Sequence, residues 1–283
     1  MNSRYSLLLV KWLIVAMALV PPAAQAQTNA TGAAPAALSE TAEAELFFER
    51  FGQAARLVEH RQVQEATVLM DLLSKSLSQS PWFEIALLKY SQLCEGRSDL
   101  AALESYSLLL KRLDNAPYFQ GEAEHARVFK ASLQGATQNG IDRVRVSRIK
   151  VGLQNYYSRY AQYPESLAKL AILHFVEMED ILDSRGRPFR YIPTGIRQTP
   201  FVSYHSYEGL RLNPADPFSA DSPRIQGTSL VSDTPKKYAA LLSVPGRIDA
   251  QQVVENQTLE GFFVATIAAR GVIACTPDRV LVL

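Results

Sequence analysis

The chain has 283 residues, with 29 Lys and Arg against 28 Asp and Glu, a formal charge of +1 and 47% hydrophobic residues. A balance this close to neutral, with no basic stripe, argues against nucleic acid or an anionic membrane surface as a partner. The length and apolar content support a substantial core and fit two ordinary domains or one large one.

Residues 1–26 have the order of a secretory signal peptide. Arg4 and Lys11 precede the apolar run Trp12 to Val20, followed by Pro21 and Pro22 and then Ala24, Gln25 and Ala26. The run is too short to cross a hydrocarbon layer of roughly 30 Å, and AQA offers the small residues a signal peptidase needs, so cleavage is expected after Ala26. Cleavage removes two basic residues and no acidic one, which takes the formal charge from +1 to −1. No Cys follows the apolar run, so no lipid anchor is indicated. The mature protein is expected in the periplasm or fully secreted, with no membrane attachment. Residues 27–38, QTNATGAAPAAL, lack apolar periodicity and read as a flexible leader.

From Ser39 the pattern is helical. Leu46, Phe47, Phe51, Ala54, Leu57 and Val58 recur at spacings of three and four, and Val63, Ala66, Leu69, Met70, Leu73 and Leu77 form the apolar side of a second helix. Residues 82–94 and 98–113 repeat the plan across the EGRS turn, and a fifth helix is expected from Gly121 to about Leu133. Ala66, Met70 and Leu73, matched about 36 residues on by Ala102, Tyr106 and Leu109, resemble the second helix of tetratricopeptide-class repeats. A plain helical bundle fits the same pattern, because amphipathic helices readily mimic the repeat.

A long helix is expected next, over IDRVRVSRIKVGLQNYYSRYAQYPESLAKL, with Val146, Ile149, Leu153, Tyr156 or Tyr157, and Tyr160 on one face and Glu165 to Leu170 as a further turn. Arg143, Arg145, Arg148 and Lys150 fall mostly off that face and read as a solvated side. Tyr163 and Pro164 end the helix, and Asp183 to Gly186 supply turn chemistry before the strand-like PFRYIP.

This order resembles the soluble domain of the type II secretion major pseudopilins. The residues that carry the resemblance are Tyr163, Pro164, Ser166, Leu167 and Leu170, then Asp183, Gly186, Pro188, Phe189 and Tyr191. The resemblance implies a long helix packed on an antiparallel sheet. Its filament-forming apolar stem is missing before residue 139, so a pilus-subunit role is not implied. Pseudopilin heads often hold calcium in a C-terminal loop, which makes Asn213, Asp216 and Asp221 of LNPADPFSADSPR weak calcium candidates, although calcium wants six or more oxygens.

Around His205, FVSYHSYEGLR gathers Tyr204, Tyr207 and Glu208, which suits an alternating strand better than a glycan or peptide site. The closing residues give strands at Val264 to Ile267, Val272 to Ile273 and Val280 to Leu283, with a TPDR turn, and are expected to extend the sheet on the long helix. Cys94 and Cys275, one in each half, are the only cysteines. An oxidising compartment permits a bridge between them, and two buried thiols suit the sequence equally.

The familiar hydrolase, metalloprotease and nucleotide signatures are absent, and His60, His125, His174 and His205 lack metal-ligand spacing. No catalytic residue and no cofactor beyond the weak calcium option is expected. The fold class read from the sequence is α+β, with repeat-like helical hairpins over 39–136 and a pseudopilin-like domain over 139–283. The function read from it is a non-enzymatic exported protein-interaction or scaffold protein with a protein partner, connected with secretion or envelope assembly. The alternative is a periplasmic hydrolase or a glycan- or peptide-binding protein with its site between the two domains.

Overall fold

The computed structural model describes residues 42–78, 80, 82–115, 123–192, 201–203, 223–234 and 236–283. The signal peptide with its Ala26 cleavage site, the 27–38 leader, His205 and its neighbours, and Asn213, Asp216 and Asp221 lie outside the described residues. The architecture is α+β, with helices first and antiparallel sheets after them.

Five helices lead: α1 (Ala42–Glu59), α2 (Val63–Ser76), α3 (Trp82–Cys94), α4 (Asp99–Asn115) and α5 (Glu124–Tyr160). Each packs on the next, and α3 also touches α1 and α5, so the odd-numbered helices form one layer. The apolar faces read from the sequence are the buried ones: Phe47, Phe51 and Ala54 on α1, Ala66, Met70 and Leu73 on α2, and Ala102, Tyr106 and Leu109 on α4.

The expected fifth helix and the expected long helix are a single element, the 37-residue α5. The Asn139-Gly140 pair reads locally as a break, yet a neighbour requires the glycine. A methyl built on Gly140 meets the Tyr106 ring at 2.2 Å, and one built on Gly135 meets the Pro277 carbonyl oxygen at 2.1 Å. Close approach of α4 and of the last hairpin therefore outweighs the helix-propensity cost, about 1 kcal/mol per glycine. The helix ends at Ala161, in the left-handed conformation with φ 53°.

The short helix α6 (Leu167–Ile172) follows, capped by Ser166, whose hydroxyl accepts from the Lys169 N–H. A 3₁₀ turn (Met178–Ile181) leads to the hairpin of β1 (Arg190–Ile192) and β2 (Phe201–Ser203). A core of Val146, Ile149, Leu153 and Tyr156 with Leu167, Leu170, Val176 and Phe189 fastens this segment to the second half of α5.

Two further antiparallel sheets complete the chain. One holds β3 (Arg224–Asp233), β4 (Lys236–Ser243) and β5 (Gln251–Val254). The other has the order β6 (Thr258–Leu259), β7 (Phe262–Ala268), β8 (Gly271–Thr276) and β9 (Arg279–Val282), with Thr276 opposite Arg279 across the TPDR turn.

This four-stranded sheet does not extend the β1–β2 pair, contrary to the sequence expectation. Phe263, Ile273, Cys275, Val280 and Val282 enter the core of the helices, while Val264, Ile267 and Val272 face Ala240, Leu242 and Val253 of the three-stranded sheet. The alternation is the period of two of a strand, but both faces are covered, which is why the closing residues read as a nearly unbroken apolar run. The sheet lies against the odd-numbered helices: Phe48 of α1 sits over Gly271, Lys89 of α3 reaches Val280, and Gly135 of α5 abuts Pro277.

Candidate functional site

The amphipathic helix α4 has a second, exposed stripe. Leu100, Glu104, Ser107, Leu108 and Lys111 recur at helical spacing on the side away from its core residues. They form one wall of a 580 Å³ groove floored by Leu103 and Ile141, and the opposite wall is Arg145 and Arg148 of α5 with Glu177, Glu179 and Asp180 at the 3₁₀ turn. Leu100 is 66% exposed and Leu108 46% exposed.

The far wall is held by a polar lock. Arg145 Nη1 donates to the carbonyls of Leu182 (3.1 Å) and Asp183 (3.0 Å), and Arg148 pairs with Asp180 at 3.2 Å. The Ser184 N–H donates to Asp142 Oδ1 at 2.6 Å, and Asp183 accepts from the N–H groups of Arg185 and Arg187 and from Arg187 Nε. Burial raises the Asp180 carboxyl above its ordinary range, against the pull of Arg148. Burial also raises Asp142, despite the hydrogen bond from Ser184. At Asp183 burial is outweighed by the hydrogen bonds from Arg187 and Arg185, so its carboxyl is held low.

Three members of the arginine cluster therefore depart from the solvated side expected for them. Arg143 is buried against Glu95, which also accepts from the Tyr106 hydroxyl. Arg145 and Arg148 clamp the 177–183 segment, and only Lys150 is freely exposed. The sequence carried no local signal of this, because Arg143 and Glu95 stand 48 residues apart.

A second titratable cluster is wholly internal. Lys89 has no exposed surface and donates from Nζ to the Val280 carbonyl at 2.6 Å. Val272 and Leu283 exchange both backbone hydrogen bonds, so alternation along β8–β9 makes Cys275 opposite Val280 a non-hydrogen-bonded pair. The Val280 carbonyl thus points off the sheet edge, and Lys89 satisfies it. Burial lowers the Lys89 pKa to about 7, and burial pushes the neighbouring Cys275 thiol far up, against the pull of Lys89 and a hydrogen bond with Ser132. Cys94 and Cys275 are both buried free thiols, so the bridge allowed by the sequence is not formed.

Among the described residues, no three His, Cys, Asp or Glu side chains converge as a metal-holding group, and no helix is long and apolar enough to cross a membrane. Residues singled out between Tyr163 and Tyr191 lie together. The Tyr191 hydroxyl donates to the Pro164 carbonyl, Leu167, Leu170 and Phe189 share one core, and Gly186 takes φ 78° in the turn closed by Asp183. The chain matches no protein-family model, no curated protein and no solved structure.

Proposed function

We propose that this chain is a non-enzymatic, exported protein-interaction or scaffold protein, connected with secretion or envelope assembly, in which repeat-like helical hairpins carry a pseudopilin-like segment. The observation that carries this reading is the groove between α4, α5 and the 3₁₀ turn, with Leu100 and Leu108 presented to solvent on a rigid helix. Apolar side chains rimmed by charge, held by an internal polar lock, suit the docking of another protein. Export rests on the signal-peptide order of residues 1–26, and the link to secretion rests on the motif from Tyr163 to Tyr191.

The odd-numbered helix layer is occupied by the chain's own β6–β9 sheet, so docking falls to the groove on α4. The test is a pulldown from envelope extracts with the mature chain and with Leu108→Glu as bait. A secretion or assembly component retained by the first and lost with the second supports the reading, and recovery of no such component counts against it.

A further inference from the structure

We infer that the groove between α4, α5 and the 3₁₀ turn takes a basic amphipathic α-helix of a partner protein. This rests on the docking reading above and adds the chemistry of the occupant.

The walls favour a helix over a strand. A bound strand needs an open sheet edge to satisfy its backbone, whereas a helix satisfies its own and offers only side chains. One wall here is the helix α4 and the other is α5 with the 3₁₀ turn, and the apolar side chains they present are Leu103 and Ile141 on the floor and Leu100 and Leu108 along α4. From Leu100 to Lys111 the wall runs three helical turns, roughly 16 Å at 1.5 Å per residue, which matches apolar anchors at i, i+3 or i+4, and i+7 on an incoming helix.

The charges select its sign. Arg148 pairs with Asp180, and Arg145, which donates Nη1 to two backbone carbonyls and keeps its charge, is half-buried in the wall. That leaves Glu104 on one wall and Glu177 and Glu179 on the other, all exposed, and no cation of this chain pairs with them among the described residues. Lys111, at the far end, is the one exposed cation in the lining. Acidic rims on both sides of an apolar floor complement Lys or Arg flanking an apolar stripe, and they repel an acidic helix.

The experiment uses the mature chain and three fluorescent peptides of about 14 residues, long enough to span the groove. One carries Leu anchors flanked by Lys, one the same anchors flanked by Glu, and one is the Lys peptide scrambled to destroy the stripe. The Lys peptide is expected to bind at least about tenfold more tightly than either other peptide, with the preference shrinking as salt rises. Leu108→Glu abolishes binding, Val68→Glu on the exposed face of α2 leaves it intact, and the double variant Glu104→Lys, Glu179→Lys, which spares Glu177 because its side chain caps the 3₁₀ turn, transfers the preference to the Glu peptide. These positions are exposed, and an unchanged thermal melt confirms that each variant is folded.

Equal or tighter binding of the Glu peptide to the parent chain, sensitive to Leu108→Glu, overturns the basic occupant while leaving groove docking in place. Binding indifferent to Leu108→Glu, or no binding by any peptide at millimolar concentration, overturns the inference outright. The envelope pulldown then decides separately whether the docking reading survives.

Discussion

The Tyr191 hydroxyl donates to the carbonyl of Pro164 at 2.7 Å, joining residues 27 apart in sequence and closing a loop that contains α6, the 3₁₀ turn and the Asp183 turn. This bond joins the two ends of the segment from Pro164 to Tyr191, which supplies part of one wall of the groove. Tyr191→Phe keeps the ring and deletes the bond. It is expected to cost about 1 kcal/mol in chemical denaturation, or somewhat more because the Pro164 carbonyl loses its partner. An unchanged midpoint would show that the bond contributes nothing.

Gly140 tests the continuity of α5. Ala at this position should raise helix propensity, and in an exposed helix it would stabilise by up to about 1 kcal/mol. Here the new methyl would lie 2.2 Å from the Tyr106 ring, so overpacking dominates and Gly140→Ala should destabilise by about 1–3 kcal/mol. Combining it with Tyr106→Leu should recover part of the loss in a double-mutant cycle, and strict additivity would contradict the contact.

Lys89 makes stability depend on pH. Its pKa falls from 10.5 in the open chain to about 7 in the fold, so between those values the unfolded chain holds a proton that the folded one rejects. Stability from this residue therefore rises with pH across the window from about 7 to about 10, by up to about 1.4 kcal/mol per unit, and is lowest at and below pH 7. Lys89→Met should remove that slope. Denaturation midpoints at pH 7, 8 and 9 check it: parallel pH profiles of parent and variant would contradict the assignment.

The sequence made the local elements legible and the long-range ones illegible. Ala66, Met70, Ala102 and Tyr106 were readable as core because helical periodicity is written within a few turns, and the TPDR turn because Pro277 and Asp278 sit between two apolar runs. The unbroken α5 was not, since the reason Gly140 is tolerated lies on another helix. Docking of the last sheet onto the odd-numbered helices depends on pairs such as Lys89 and Val280, 191 residues apart, and no pattern in a single sequence announces them. The groove was hidden for the same reason. Glu104 and Glu179 look like ordinary solvated charges until the fold sets α4 beside the 3₁₀ turn.

Photo-crosslinking in intact envelopes decides whether a partner sits in the α4 groove. A photoreactive residue at Ser107 inside the groove is compared with one at Leu72 on the exposed face of α2. A discrete protein adduct is expected from position 107 that is absent from position 72 and is lost when Leu100→Glu is added. The same adducts from both positions, or none from position 107, would contradict docking there.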